Sequence, residues 1–495
     1  MSSKSTSKTI SNSKVLLMLL VWSFLVLLFL SPDSPLFYTC HHIDSAWFFM
    51  EGKALMNGLR PYVDFSDCKG PLLWLSFGLG YLISPRNFIG MYVVGSLFYT
   101  VTLFYNYKTA RIFLKNDGTA LAATLPMIFV YFFPWFHFEV RSEDIMLPFI
   151  SISVYILFKR LYGGKVCIDD KADFLTLGAC FMALTLIKYN ISAVQGVIVL
   201  IAFWDQYRRK ASVAKAFIWA AIAAVVVAAP FMAYLWYTNT FDAFINDYFV
   251  VAFQVVAEEN SDSLTYANDL KGVITDNRKI IFILAILVGG ILLGSKLNRY
   301  KFVPVIIGLL FVAVSTRHNV WNYYYGVCFV FIIYLFIYTL MFKKTWMRRV
   351  AYVLLTGYVT LTCIYGNLIV GDLRKISIFT QNPDKQAYQD IADVMKGTHH
   401  ARLLNYESNE FGFGIPHEAL PAGGQYACQN GATPEMMRDH KQILLDRKAD
   451  FVITYCRDDQ TDKMFVFKEI EDAGYTLRKR RIYMNMPFYI YEKNK

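Results

Sequence analysis

The chain has 495 residues, 56% of them hydrophobic and 18% charged, with a formal net charge of +11. A soluble protein of this size carries roughly 25% charged residues, so the deficit excludes an ordinary soluble globule and indicates an integral membrane protein. The basic residues fall in short clusters between apolar runs, which reads as an orientation signal and not as a nucleic-acid surface.

Residues 1–13 are polar and rich in Ser and Lys, and Lys14 opens the apolar run Val15–Leu30. No small-residue cleavage site follows and many more apolar runs do, so the run reads as a first membrane helix with its N-terminus inside. The outer loop 31–87 then follows. Within it Ser45–Asn57 is predicted as a short interfacial helix: Trp47, Met50 and Ala54 recur at helical spacing, Asp44 caps the start and Gly58 ends it. Pro71–Ser84 is apolar but too short to span, and reads as a second interfacial or partly inserted helix. Phe88–Tyr107 crosses inward.

Further spans are predicted at roughly 118–136, 144–160, 173–188, 191–206, 214–237, 279–296, 302–316, 322–342 and 348–370, about eleven crossings in all. A tight turn at Lys188-Tyr189-Asn190 joins two of them. Basic clusters such as Lys108/Arg111/Lys115, Lys159/Arg160 and Arg348/Arg349 all fall on the side of residue 1. Thr238–Arg278 is a long outer loop, too broken by Asp and Asn to span. It serves as a connection or as a flap over the membrane, and the residues favour neither.

After Val370 the composition becomes that of a soluble protein. Within 383–495, ARLLNYES, ADFVITY and MPFYIYEK read as strands, and DKQAYQDIADVMKG and TPEMMRDHKQILLDRK as helices, which gives a small α/β domain. An odd number of crossings places it outside the cell. The expected architecture is an α-helical polytopic membrane domain, residues 1–370, followed by this extracytoplasmic domain. No P-loop or Rossmann glycine pattern is present, so no nucleotide site is expected. Eight cysteines in a chain this long make no disulfide scaffold. Cys40 with Cys68, and Cys428 with Cys456, could pair in an oxidising compartment, and unpaired thiols are the simpler reading.

Four places concentrate polar chemistry. Asp44 is at least a helix cap, and a carboxylate held at a membrane interface can also take a proton from an attacking hydroxyl. Lys69 precedes Gly70-Pro71 and follows Asp67; such lysines commonly snorkel, yet this one is placed to hold a lipid phosphate as a point charge. Arg141-Ser142-Glu143-Asp144 puts two acids at the start of a span, either as a favourable helix N-terminus or as a functional pair. Arg317 and His318 stand in an aromatic-rich outer stretch, where either could contact a phosphate or a sugar. His41, His42 and Asp44 match no zinc spacing.

Asp44, then Gly58-Leu59-Arg60-Pro61-Tyr62-Val63-Asp64, then Asp67-Cys68-Lys69-Gly70-Pro71-Leu72-Leu73, resembles the first outer loop of GT-C glycosyltransferases. The pattern is most similar to the protein O-mannosyltransferase and aminoarabinose transferase families. The resemblance implies a GT-C fold over roughly residues 15–370 and an inverting transfer from a polyprenyl-phosphate-linked sugar to a glycan, lipid or protein acceptor at the outer face of the cytoplasmic membrane. It implies Asp44 as the catalytic carboxylate, Lys69 as a donor-phosphate ligand, and Glu143 or Asp144 as the second acidic residue. Arg141 and Arg317 are further candidates for the phosphate, and Tyr62, Asp64, Asp67 and His318 for substrate. The chain departs from the family in three places. Serine follows Asp44, Gly70 replaces a proline, and Cys68 stands where some relatives have an acid. No metal ligand is therefore assigned, and a divalent metal stays open.

Two other classes share many spans. A lipid or polysaccharide transporter favours ionisable residues at mid-bilayer and internal repeats, neither of which the sequence carries. A non-catalytic envelope assembly protein would use the soluble domain to bind a partner. Lipid-dependent sugar transfer by the purified protein separates both from the enzyme.

Overall fold

The computed structural model describes residues 10–37, 43–131, 139–163, 168–251, 283–296, 300–316, 322–370, 383–428, 434–455 and 464–494. The helices begin with α1 (Asn12–Leu30), α2 (Ile43–Met56), α3 (Pro71–Ile83) and α4 (Ile89–Phe113). Then come α5 (Asp117–Thr124), α6 (Met127–Tyr131), α7 (Ser142–Tyr162), α8 (Asp170–Thr185), α9 (Tyr189–Arg208) and α10 (Val213–Tyr237). Four described helices, α1, α4, α7 and α10, are long and apolar enough to cross a membrane. Shorter apolar helices include Val303–Thr316, and Thr345–Val370 is the last helix before the polar C-terminal part. The chain divides into two compact units.

One unit comprises residues 1–31, 95–230 and 263–373. Within it α7 starts on a capping box, with the Arg141 backbone N–H donating to Asp144 Oδ2 at 2.8 Å. At the far end of α7, Arg160 is fully buried. It bonds Asp170 at 3.0 Å and Gln206 at 2.6 Å, and lies 3.3 Å from both Asp173 and Asp205. Lys159 pairs with Asp173 as well. This basic cluster thus ties α7, α8 and α9 together. The 21 residues of α7 separate this network from Glu143 by nearly a full hydrocarbon thickness.

The other unit comprises residues 32–94, 231–262 and 374–495. Its sheet runs β2 (Leu420–Pro421), β1 (Arg402–Asn405), β3 (Phe451–Tyr455), β5 (Met486–Lys493) and β4 (Tyr475–Tyr483) across the unit. The first three strands are parallel, while the β4–β5 hairpin pairs antiparallel. Alternation along the strands divides the core between two faces. Leu403, Ile453, Phe488 and Ile490 pack with Ile391 of the helix Pro383–Ala392. Leu404, Val452 and Tyr491 pack with Ile443 of Pro434–Leu445 and Val466 of Met464–Asp472. The segment order predicted a small α/β domain; the third helix, Met464–Asp472, was not among the expected elements.

Within the same unit α2 and α3 cross at glycines. A Cβ added to Gly52 would stand 2.5 Å from the Gly78 backbone nitrogen and 2.7 Å from the Phe77 carbonyl carbon. Only glycine permits backbones this close. Two expectations for α2 need correction. Asp44 lies inside the first turn and does not cap it, because the helix begins one residue earlier at Ile43. Nor is one face apolar and the other wet: every residue from Ser45 to Ala54 is buried. Of the charged members of that run, Lys53 donates to the Gly414 carbonyl and Glu51 accepts the Trp47 indole N–H through Oε1, so the apolar spacing alone could not reveal the enclosure.

Candidate active site

The site grows from α2 and the loop that leads into α3. Asp44, Trp47 and Glu51 are spaced i, i+3, i+7, which puts them on one face of α2. Asp44 is half-buried at the helix start, where the first-turn N–H groups favour an anion. The Trp47 indole N–H donates to Glu51 Oε1 at 2.8 Å. Burial raises the Glu51 carboxyl well above its ordinary range, and the neighbouring Asp67 carboxylate adds to the effect.

The loop places Lys69 above this helix. Its ammonium stands 5.8 Å over the Phe48 ring, 3.5 Å from Asp67 Oδ1 and 3.3 Å from Cys68 Sγ. Phe48 is one helical turn beyond Asp44, and the loop's cation and the helix's anion lie in the same compact unit. The Asp67 carboxylate also accepts the Cys68 N–H at 2.6 Å, which fixes the bend before α3. Cys68 is a free thiol, and burial pushes it up to about 11. Cys40 lies outside the described residues. Gly70 provides the N-cap of α3 with Pro71 in its first turn, and it makes no side-chain capping bond there.

Tyr62 braces the loop. It takes a positive φ of 64°, donates its hydroxyl to the Lys69 carbonyl at 3.0 Å, and packs on Trp74 at 4.7 Å between ring centres. Burial raises its phenol well above the ordinary value. Asp64 turns the other way and closes on Arg60, with 2.8 Å to the backbone N–H and 3.2 Å to the guanidinium. The C-terminal chain completes this unit around the loop. Tyr426 lies 5.6 Å from Trp47 between ring centres, Ser66 N–H donates to the Gly424 carbonyl at 3.0 Å, and Lys53 Nζ donates to the Gly414 carbonyl at 2.9 Å.

The other unit holds a separate polar cluster. Glu143 Oε1 lies 3.1 Å from Lys188 Nζ, while its other oxygen accepts the Ser142 hydroxyl at 2.9 Å. Lys188 also stands 4.1 Å over the Tyr324 ring. Asp144 accepts the Tyr99 hydroxyl at 2.7 Å besides capping α7, and Arg141 beside it is buried. Arg317 and His318 lie outside the described residues, as do His41 and His42. Among the described residues no group of three His, Cys, Asp or Glu side chains could hold a metal ion.

Sequence reasoning missed Lys188 and Glu51. Lys188 was visible only as part of a tight turn, and Glu51 as one polar residue in an apolar helix; an acid that recurs seven residues after Asp44 was the available signal.

Residues 69–236 match the family model described as dolichyl-phosphate-mannose-protein mannosyltransferase. The chain is also similar to the solved structure of ArnT from Cupriavidus metallidurans bound to undecaprenyl phosphate. The TM-score is 0.57 at 11% identity, over 97% of this chain and 97% of that one. The apo structure of the same protein gives a TM-score of 0.58 at 12% identity, over 97% and 98% of the two chains. The fold is the GT-C glycosyltransferase fold. It bears out the expected fold class, a helical GT-C membrane protein with a small C-terminal sheet region. At these identities the likeness concerns the fold, while the family model rests on the span region and the start of α3. No curated protein sequence matches the chain.

Proposed function

We propose that the chain is an inverting GT-C glycosyltransferase that moves a monosaccharide from a polyprenyl phosphate to an acceptor hydroxyl at the outer face of the cytoplasmic membrane. The observation that carries this reading is the Lys69 ammonium standing over Phe48, one turn along α2 from Asp44.

Asp44 takes the proton from the acceptor hydroxyl as its oxygen attacks the anomeric carbon. The bond from that carbon to the phosphate oxygen breaks on the opposite face, and its electron pair leaves with the phosphate. Lys69 stabilises the charge that gathers there, with the uncapped start of α3 beside it. Tyr62 holds the Lys69 backbone in place, and Asp67 keeps the ammonium oriented until a phosphate arrives. Glu143 is the better candidate for the second acidic residue, because a carboxylate held on Lys188 keeps hydrogen-bonding capacity for a sugar hydroxyl. Asp144 is committed to the start of α7.

Arg141, Arg317 and His318 remain candidates for phosphate and sugar contacts. The N-terminus is placed in the cytoplasm and residues 383–495 outside it. The sugar is a lipid-linked monosaccharide, and the acceptor is a glycan, lipid or protein hydroxyl. The deciding experiment is Asp44→Asn in membranes supplied with labelled lipid-linked sugar. Loss of about 10²- to 10⁴-fold in transfer is expected for a missing general base. Transfer at the normal rate would end the assignment.

A further inference from the structure

The segment that follows α10 has no part in the mechanism above, yet it grips the loop that carries Lys69 at two points. It runs as the short helix Phe241–Phe244 and then winds as a π-helix over Ile245–Val251. Such a winding is rare and frequently marks a functional site. Phe244 and Tyr248 stack at 5.5 Å between ring centres, so the segment presents both rings on one side. The Phe244 ring also lies 5.4 Å from Tyr62, whose hydroxyl donates to the Lys69 carbonyl at 3.0 Å. Three residues on, Asp247 Oδ2 accepts the Ser66 hydroxyl at 2.5 Å.

Ser66 directly precedes Asp67, whose carboxylate stands 3.5 Å from the Lys69 ammonium. It is buried and held from two sides, its hydroxyl by Asp247 and its N–H by the Gly424 carbonyl at 3.0 Å. The other Asp247 oxygen accepts from Asn246 Nδ2 at 2.9 Å, which fixes the carboxylate. All these residues belong to one compact unit, although Asp247 comes 181 positions after Ser66 in the chain. The stretch from Tyr62 to Lys69 is thus anchored at its start through a ring and at Ser66 through a hydrogen bond. A loop ordered before a phosphate arrives needs no ordering on binding, whereas a loose one subtracts that cost from the affinity.

We propose that Asp247 is a positioning residue for the donor: acting through Ser66, with Phe244 acting through Tyr62, it keeps the loop that carries Lys69 in its phosphate-binding shape. This rests on the functional reading above, since it presumes that Lys69 meets the donor phosphate. Asp247 itself touches neither sugar nor phosphate. The outer loop Thr238–Arg278 begins as a brace.

The test measures binding of undecaprenyl phosphate to the full chain in lipid nanodiscs. Asp247→Ala is expected to bind about tenfold more weakly, the effect of one hydrogen bond. Asp247→Asn keeps an acceptor for the Ser66 hydroxyl and should recover most of the affinity. Wild-type affinity in Asp247→Ala overturns the proposal. Ser66→Ala removes the same bond from the other side and guards against a misfolded Asp247 variant. It should match Asp247→Ala, and the double variant should lose no more than either single one; additive losses count against the proposal.

Lys69→Met separates the two readings. If it binds the probe as tightly as wild type, the phosphate assignment falls and the Asp247 role with it. If it binds weakly while Asp247→Ala tracks wild type, only the Asp247 role falls. Asp247→Ala added to Lys69→Met distinguishes positioning from general damage. With no ammonium left to position, no further loss is expected, and a loss equal to that in the wild-type background overturns the proposal.

Discussion

Replacing Gly52 with alanine tests whether the α2–α3 crossing sets the working geometry. The added Cβ would lie 2.5 Å from the Gly78 nitrogen, and the atoms it meets are backbone, which cannot swing aside. To bring 2.5 Å out to the roughly 3.4 Å of ordinary contact, the helices must separate by about 0.9 Å. Overpacking of this kind costs about 1–3 kcal/mol. The same shift moves Asp44 relative to Lys69, and a misplacement of about 1 Å costs on the order of 100-fold in rate. Gly78→Ala is the natural control. Its Cβ first meets the Cε of Met56, the far end of a flexible side chain, so a milder loss is expected. The assay is transfer of labelled lipid-linked sugar by purified protein, with the thermal transition recorded in parallel. Wild-type transfer and stability in Gly52→Ala would refute the reasoning, as would equal losses in the two variants.

Lys53 and Glu410 make stability depend on pH. Burial pushes the Lys53 ammonium down to about 7 and the Glu410 carboxyl up to about 7. For the raised carboxyl, stability is full below its unfolded value near 4.5 and is lost as pH rises towards 7. For the lowered ammonium, stability is full above 10.5 and is lost as pH falls towards 7. The unit is therefore expected to be least stable near neutrality, the acid limb being worth up to about 3 kcal/mol and the alkaline one up to about 5 kcal/mol. Glu410→Gln should flatten the acid limb and Lys53→Met the alkaline one in thermal scans, and a maximum near pH 7 in the wild type would contradict this. In the other unit, Lys188→Met leaves Glu143 buried without its cation and should cost about 3 kcal/mol. Adding Glu143→Gln should recover most of that loss, and failure to do so would show that the pair is not the source.

The four described helices long and apolar enough to cross a membrane were legible because an apolar run bounded by Lys or Arg has few alternatives in a bilayer. The C-terminal strands β1, β3 and β5 were legible too, being apolar runs of strand length. Strand β4 was not: LRKRR within it is four parts cation, and it forms because an edge strand exposes those side chains. Arg478 and Arg481 reach Glu492 and Asp390 there. β2 was missed for a different reason, since two residues carry no pattern. At the site, Asp44 and Lys69 stood out as charges in an apolar setting. Glu51 and Lys53 did not, because what encloses them lies far away in the chain and no local spacing records it. The close approach at Gly52 was equally silent, since a glycine in a helix looks the same whether or not a backbone presses on it.

The bond from Lys53 to Gly414 joins residues 361 positions apart. A ribosome making this chain releases the Asp44 segment early, long before Gly414 exists. Through the threading of every intervening hydrophobic segment, the newborn loop must wait without the wall that later closes over Ser45–Ala54. Premature termination anywhere before the final sheet should thus yield a chain whose apolar helices are made but whose Ser45–Ala54 helix stays uncovered, and a chaperone or protease would meet it in this half-made state.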